Sequence, residues 1–238
     1  MRKHIFYPVS TLFLILVIAI LYGCSKKSEP PVPKSDIWDI EKSGIPKFVE
    51  TNYIDLEKIY RISKYRSSVG HDYSDSFEQC RSMKHYFEPR SDADWTTIKV
   101  YSPVTGIITR VEQEWAGTKI EIASDEYPAF RFSIFHINTM KVYNVDDKVV
   151  AGEQLGTHIG SQTMSDISVM VNDPTRQGRM VSYFEVITDE IFKEYSDRGV
   201  STREQMIIPK AIRDANPLLC NGETFLTFDT LENWVALN

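Results

Sequence analysis

The middle of the chain limits the possible folds most, because short runs of β-branched and aromatic residues follow one another there between Gly and Pro residues. In residues 118–123, Ile120 and Ile122 alternate with Lys119 and Glu121. This alternation is typical of a strand with one buried face. Other runs have the same strand-like composition, namely 98–101, 107–111, 131–136, 167–171 and 180–186. The sequence therefore predicts a mainly β domain built on an antiparallel sheet.

Helical patterns flank this region on both sides. Before it, apolar residues at near-helical spacing predict a helix over residues 54–62. After it, residues 188–197 predict a helix that stops at Gly199, and Ser201 and Glu204 have the spacing of a capping box. The apolar stripe of this last helix contains Ile207, Ile208, Ala211 and Ile212. We expect these helices to cover the sheet.

The first 24 residues predict where the chain is delivered. Residues 1–23 combine a basic start, an apolar middle and a final Gly23 before Cys24, which is the pattern of a secretory signal. The ending Leu-Tyr-Gly-Cys resembles a bacterial lipobox, which implies lipidation of Cys24. The alternative is an uncleaved anchor, because residues 5–22 match the roughly 18 residues that just cross a bilayer. Both interpretations place the rest in the bacterial cell envelope, facing the periplasm or the exterior.

The remainder divides into a tether and one domain. Residues 24–39 are rich in Pro and charge without an apolar period, which predicts an extended linker. From residue 40 to residue 238 the composition is uniform. We therefore expect a single domain over 40–238, with a helical cover in 187–238.

The net charge excludes one class of partner. The chain has 27 Lys and Arg residues against 33 Asp and Glu residues, a formal net charge of −6 at pH 7. Cleavage before Cys24 makes this charge more negative, because it removes Arg2 and Lys3 and no acid. Since an acidic surface repels phosphate backbones, we expect no nucleic acid partner.

Two cysteines remain when Cys24 is lipidated. An oxidising envelope favours a disulfide between Cys80 and Cys220. On chain entropy alone, closing a loop of about 140 residues is worth about 4 to 5 kcal/mol. Two separate buried thiols are the alternative interpretation.

Two segments resemble the halves of a duplicated hybrid motif. The first is Tyr101-Ser-Pro-Val-Thr-Gly106-Ile-Ile with Gly117-Thr-Lys-Ile-Glu-Ile, and the second is Asp147-Lys-Val-Val-Ala-Gly152-Glu-Gln-Leu-Gly156. With Gly70-His71-Asp-Tyr-Ser-Asp75 upstream and Phe135-His136 between them, their order is similar to that of lysostaphin-type and LytM-type peptidases. That family consists of β-sheet zinc enzymes that cut the peptide crosslinks of bacterial cell walls. The resemblance covers roughly residues 70–186 and implies a barrel-sandwich hybrid core.

The resemblance assigns roles to three residues. His71 and Asp75 fall on two of the family's three zinc ligands, and imidazole nitrogen and carboxylate oxygen suit zinc at about 2.0 to 2.2 Å. His136 falls on the family's catalytic histidine, which hydrogen-bonds the zinc-bound water or the developing oxyanion.

The sequence departs from the family at the third ligand. The family ends its site with a His-x-His pair followed by Phe-Glu, and this chain has no such pair. One alignment puts Asp166 and Ser168 in those places. The other alignment, on the segment that contains Glu185, puts Val181 and Tyr183 there. Neither supplies a histidine ligand, so we expect no hydrolysis by the family mechanism.

The three carried-over residues also have structural interpretations. His71 and Asp75 can pair with each other or cap a turn. Because His136 shares a predicted strand face with Phe132 and Ile134, it is more typical of a core or groove histidine than of a catalytic one.

Other polar and aromatic residues are weaker candidates. His85 and His158 lie in no supporting motif, and we interpret both as structural. Asp166 is either a replacement ligand or the cap of a strand end. Tyr73 and Trp115 are candidates to stack on a ligand, although aromatic residues are more often part of a core.

The first hypothesis is a non-catalytic LytM-like envelope lipoprotein that binds cell-wall peptide or regulates a peptidoglycan hydrolase. It needs no cofactor and reaches the membrane through its lipid anchor. Its groove is predicted around His71, Asp75 and His136. The further groove residues of this hypothesis are Asp166, Ser168, Tyr183 and Glu185. The first alternative is an active zinc metalloendopeptidase in which Asp166 or another group completes the metal site, and the second is a structural envelope module with an empty groove.

Overall fold

The computed structural model describes residues 34–238. The predicted signal sequence 1–23, the predicted lipidation site Cys24 and most of the predicted tether 24–39 lie outside the described residues. Within 34–238, no helix has both the length and the apolar character needed to cross a membrane.

An antiparallel sheet organises the described chain, as the sequence predicted. Its strands are β1 Ile59–Ser63, β2 His85–Pro89, β3 Lys99–Tyr101, β4 Gly106–Gln113, β5 Thr118–Ser124, β6 Phe130–Thr139, β7 Lys148–Val149, β8 Gln154–His158, β9 Ser165–Asn172, β10 Gln177–Val181 and, near the end of the chain, β13 Trp234–Ala236. The strand order is β13, β1, β2, β9, β6, β5, β4, β7, with β10 beside β9 and β8 between β6 and β3.

The core lies along β5, β6 and β9, which form the middle of the sheet. Ile122, Phe132 and Val169 stand opposite one another across these three strands and are fully buried. The segment before β1 covers this face, and the Phe48 ring lies 5.9 Å from the Phe132 ring. The predicted mainly β fold class is therefore confirmed, with short helices before and after the sheet.

The helix predicted over 54–62 is wrong. A 3₁₀ turn spans Leu56–Lys58, and β1 follows it directly. β1 carries a bulge between Ile59 and Arg61, where its pairing with β2 shifts by one residue. The extra residue lets Ile59 and Ile62 face the core although they are three positions apart. This spacing imitates the period of a helix.

The strand predicted over 180–186 is wrong in its second half. β10 ends at Val181, and a one-turn helix, α2 Tyr183–Val186, begins after Ser182. The helix before the sheet is α1 Ile40–Ser43. Ser182 Oγ accepts a hydrogen bond from Phe184 N at 3.1 Å, and Glu185 Oε2 accepts one from Ser182 N at 2.8 Å. This capping box starts the helix and stops the strand.

The C-terminal segment is less helical than predicted. The predicted helix over 188–197 is confirmed as α3 Asp189–Ser196. The predicted capping box at Ser201 is wrong, because only a 3₁₀ turn, Arg203–Met206, follows it. Since Pro209 lacks the amide that a continuous helix needs, the next helix is the separate α4 Lys210–Ala215. The remaining strands are β11 Cys220–Asn221 and β12 Thr224–Phe225, which pair with each other.

His85 connects three elements of the fold and is structural, as the sequence analysis proposed. Its Nδ1–H donates to the Ser63 carbonyl of β1 at 2.8 Å, and its Nε2 accepts from the Ser182 hydroxyl before α2 at 2.8 Å. In the neutral ring one nitrogen donates and the other accepts, which matches a carbonyl on one side and a hydroxyl on the other. Burial lowers the pKa of His85 to about 4.

We predict that His85→Gln flattens the pH dependence of stability. As the pH falls from 6.5 to 4, the unfolded chain takes up a proton at this position and the folded chain does not. The free energy of unfolding therefore falls by about 3 kcal/mol on account of this one histidine. Urea denaturation at several pH values between 7 and 4.5 measures the slope. Equal slopes for the wild type and the variant would contradict this assignment.

Candidate functional site

A groove of about 530 Å³ opens on the sheet where β2 and β6 meet the loop 64–84. One wall is aromatic, and the rim carries charges of both signs. The residues that line it are Gly70, His71, Tyr73, Lys84, Tyr86, Glu114, Trp115, Lys119, Phe135, His136, Thr163, Met164 and Glu223. The groove therefore contains two of the three residues to which the resemblance gave roles, His71 and His136.

An ionic network fixes the loop that carries His71. Arg66 donates to both carboxylate oxygens of Glu78, at 2.6 Å and 2.7 Å. Arg81 donates to the same carboxylate at 2.9 Å. Burial alone would raise the pKa of Glu78, but Arg66 and then Arg81 hold it below its usual value. The carboxylate stays charged near neutral pH, and the two arginines keep the loop closed around it.

The predicted disulfide between Cys80 and Cys220 is confirmed. It joins the loop to the β11–β12 hairpin, with 5.7 Å between the two Cα atoms. In the same hairpin, the Glu223 carbonyl accepts from Asp72 N at 2.7 Å, and the Glu223 carboxylate lies 3.3 Å from His71 Nδ1. The disulfide thus holds one rim of the groove against the loop.

Asp75 points away from the groove. Its Oδ1 accepts from the amides of Phe77 and Glu78 at 2.9 Å and 3.0 Å, and its Oδ2 accepts from the amide of Met180 at 3.2 Å. Three backbone donors thus satisfy the carboxylate. This is the geometry of a turn cap that also ties the loop to β10, and it leaves His71 without the neighbour that the resemblance implied.

A lysine that the sequence analysis missed occupies the centre of the site. Lys84 Nζ lies 2.7 Å from Asp166 Oδ2 and 3.4 Å from His71 Nε2. It also lies 3.6 Å from the ring centre of Phe135 and 4.3 Å from that of Tyr73. The side chain of Lys84 is 2% exposed and that of Asp166 is 0% exposed. A buried ammonium group is thus held by a carboxylate, an imidazole and two aromatic faces.

A bulge in β6 places His136 in the groove. The pairing of β6 with β5 shifts between Ile134 and Ile137, so Phe135 and His136 occupy the space of one residue. His136 takes the left-handed conformation, with φ at 63°. A regular strand would place His136 on the same face as Ile134, as the sequence predicted. The bulge turns it to the groove beside Phe135 instead, a known use of bulges near functional sites.

The turn between β4 and β5 holds the His136 ring in place. His136 Nδ1–H donates to the Ala116 carbonyl at 2.9 Å. Gly117, at φ 81°, allows this approach, since a Cβ there would lie 2.9 Å from the Ile137 carbonyl oxygen. His136 Nε2 is left facing Asp166 Oδ1 at 3.3 Å, without the angle of a hydrogen bond.

The other predicted site residues are separated by the fold. Asp166 is fully buried behind the groove, where it contacts the lining residues Lys84 and His136 and stands opposite Tyr86 across β2 and β9. Ser168 is buried opposite Ser133 and is not among the lining residues. Tyr183 and Glu185 belong to α2, where the Tyr183 hydroxyl donates to the Thr51 carbonyl at 3.3 Å and Glu185 caps the helix. Their predicted place in the groove is wrong, because the capping box turns this segment into the core.

His158 is a buried histidine outside the groove lining, and Trp115 is an exposed aromatic residue at the edge of the groove. His158 is buried behind the groove, its Nδ1 accepts from Gly160 N at 3.2 Å, and burial lowers its pKa to about 4. Trp115 stands on the β4–β5 turn with 79% of its surface exposed, 5.9 Å from the His136 ring.

The donors do not fit the zinc that the resemblance implies. The Asp75 carboxylate accepts hydrogen bonds from backbone amides, and the Asp166 carboxylate pairs with the ammonium group of Lys84. His71 Nε2 faces the same ammonium group. Among residues 34–238, no three His, Cys, Asp or Glu side chains are grouped closely enough to hold a metal ion. Zinc needs three such donors at about 2 Å, and the side chains as placed do not offer them.

We predict that replacing both Cys80 and Cys220 by Ser destabilises the protein by up to about 4 to 5 kcal/mol, because the bond closes a loop over a separation of 140 residues. Denaturation in urea, with the oxidised wild type and the reduced wild type measured beside the variant, tests this. The reduced wild type should match the variant. If all three unfold at the same urea concentration, the bond does not support the loop and hairpin.

No family model matches the sequence, and no curated protein matches it. Solved structures of LytM-type and lysostaphin-type peptidases are among those that are similar to parts of the chain. The crystal structure of a putative glycyl-glycine endopeptidase LytM from Ruminococcus gnavus is 15% identical, with a TM-score of 0.34, over 43% of each chain.

Two other similar structures extend further along the chain. Helicobacter pylori Csd3 is 14% identical over 67% of this chain and 41% of its own, with a TM-score of 0.43. The SpoIIQ–SpoIIIAH pore-forming complex is 11% identical over 62% of this chain and 97% of the matched chain, with a TM-score of 0.42. The chain therefore spans less than half the length of the Ruminococcus and Helicobacter proteins.

Proposed function

We propose that this protein is a non-catalytic, peptidase-like component of the bacterial cell envelope, and that its groove binds peptide of the cell wall. One observation carries the proposal: the donors that a zinc peptidase would use are committed to other partners, while the groove beside them stays open. Asp75 is bound by backbone amides, and His71 and Asp166 both face Lys84.

The chemistry of the site supports binding better than hydrolysis. Peptide hydrolysis in the resembled family needs a metal-bound water and a proton shuttle. Here Lys84 lies between the imidazole of His71 and the carboxylate of Asp166, so a metal at that point would first have to displace an ammonium group. The buried ion pair resists this displacement, because separating it leaves a charge unpaired in the protein interior.

The lining of the groove suits a peptide. Its volume of about 530 Å³ is in the range of small-ligand sites, roughly 300 to 1,000 Å³. Trp115 offers an exposed aromatic face, and Tyr73 and Phe135 continue that surface inwards. Glu114 and Lys119 also line the groove, and since Lys119 already pairs with Glu112 at 2.6 Å, Glu114 is the charge that an amine of a peptide would meet.

The envelope location rests on the pattern of residues 1–24. A lipidated Cys24 followed by the tether 24–39 would hold the domain close to a membrane, within reach of wall peptides. A peptide segment of a cell-wall hydrolase also offers amides, carboxylates and amines to the groove, and its binding would make the protein a regulator of that enzyme.

We predict that Trp115→Ala weakens the binding of soluble muropeptides by about twofold to tenfold, because an aromatic contact contributes about 0.5 to 1.5 kcal/mol. Isothermal titration calorimetry measures the change in Kd. Phe228→Ala is the matched control, since Phe228 is fully exposed and does not line the groove. Its Kd should equal that of the wild type. Equal losses of affinity in both variants would show that the groove beside Trp115 is not the binding surface.

The two alternative functions, a zinc endopeptidase and a structural module, predict different results for the same purified protein. If the protein purified with zinc holds a stoichiometric ion and cleaves muropeptides, and His71→Ala abolishes the cleavage, it is an enzyme and the proposal is wrong. If no muropeptide binds at millimolar concentration, the structural module is favoured. The proposal expects binding, intact muropeptides after prolonged incubation, and a melting temperature that EDTA leaves unchanged.

A further inference from the structure

We propose that a second cavity, separate from the groove, binds the carboxylate end of a peptide through Arg131. The cavity lies at β6, β9 and β10 and has a volume of about 340 Å³. The residues that line it are Arg131, Met170, Val171, Asn172, Gln177 and Gly178. None of them lines the groove, so binding at this cavity does not depend on what the groove binds.

The regular part of β6 turns Arg131 away from the core. Phe130 and Phe132 on either side of it are fully buried, so the alternation of the strand puts Arg131 on the opposite face of the sheet. Its neighbours across the sheet are Met170 on β9 and Ala123 on β5. The side chain of Arg131 is 42% exposed, so a ligand can reach it from solvent.

A bulge in β10 provides the space beside Arg131. The pairing of β10 with β9 shifts between Gln177 and Arg179, which makes Gly178 the extra residue. Gly178 has a φ of 74°, a conformation that residues with a side chain rarely adopt. A Cβ at this position would lie 3.8 Å from Met170 Sδ. A larger residue would therefore place its side chain against Met170, where the glycine leaves the cavity open.

The guanidinium group of Arg131 lacks the partner that such a group normally has. Within residues 34–238, its Nε is buried and has no hydrogen-bond partner. Glu121 Oε1 lies 3.8 Å from Nη1, beyond hydrogen-bond distance, and already accepts from the Thr109 hydroxyl at 2.7 Å. Buried donors are nearly always paired. A carboxylate bound in the cavity would accept from Nε and from a terminal nitrogen at once, which is the preferred geometry of an arginine–carboxylate pair.

The surroundings of Arg131 favour the end of a peptide over a phosphate. Because the Glu121 carboxylate lies 3.8 Å from Arg131, it repels a doubly charged phosphate more than a singly charged carboxylate. Gln177 adds an exposed carboxamide to the lining, and Met170 adds an apolar side chain. The last residue of a peptide offers a carboxylate, an amide and a side chain close together, which matches these three groups.

The test is titration of the purified protein with acetyl-dialanine, a short peptide with a free carboxylate. We expect a Kd of about 1 mM by calorimetry, the affinity typical of a ligand of this size. The NMR signal of the Arg131 Nε–H group should shift as the peptide is added. Arg131→Gln should weaken binding by at least about tenfold, because it removes a charge-assisted pair. Arg131→Lys, which keeps the charge without the planar fork, should lie between the two.

Arg110→Gln is the matched control. Arg110 stands opposite Glu121 across β4 and β5, but it pairs with Glu112 at 2.5 Å and does not line the cavity. This variant should keep the wild-type Kd for acetyl-dialanine. Trp115→Ala should keep it too, because Trp115 lines only the groove. Failure of the groove to bind muropeptides would thus leave the result at Arg131 unaffected.

Four results would overturn the assignment. They are no binding of acetyl-dialanine to the wild type, equal binding of its C-terminal amide, binding of inorganic phosphate as tight as that of the peptide, and an unchanged Kd in Arg131→Gln. Loss of the fold does not confuse the test, since the Arg131 guanidinium has no hydrogen bond within the described chain to lose. We therefore expect Arg131→Gln to melt at the wild-type temperature.

Discussion

The buried ion pair between Lys84 and Asp166 is the interaction on which the chemistry of the groove depends. It occupies the point where a carboxylate and an imidazole converge, and it therefore decides what kind of cation the site contains. A lysine carries its charge on the chain itself, so the site cannot lose it by dilution or to a chelator. A site built in this way keeps a fixed charge and a fixed shape, which suits binding rather than activation of water.

The fold supplies this geometry through irregularities of an otherwise regular sheet. The bulge in β6 turns His136 towards the groove, and the β4–β5 turn fixes its ring through the Ala116 carbonyl. On the other side, the Glu78 ion pairs and the bond from Cys80 to Cys220 hold the loop of His71. Long-range contacts thus position each wall of the groove.

The sequence predicted the features that depend on a local residue pattern, and it predicted the disulfide because two cysteines remained to pair once Cys24 was assigned to lipidation. Alternation in 118–123 predicted β5, and the last two cysteines predicted the disulfide. The bulge in β1 made a strand imitate a helix, and the bulge in β6 reversed the face of His136. A one-residue insertion changes the phase of a strand without a clear signature in the sequence. Lys84 was missed because its partner lies 82 residues further along the chain and no motif joins them.

Anomalous diffraction at the zinc edge, from crystals of the wild-type protein soaked in a zinc salt, shows which cation the groove holds. We expect the Lys84–Asp166 ion pair to remain in the electron density, with no anomalous peak between His71 and Asp166. A zinc ion bound there by His71 in the wild type, with Lys84 displaced from Asp166, would contradict it.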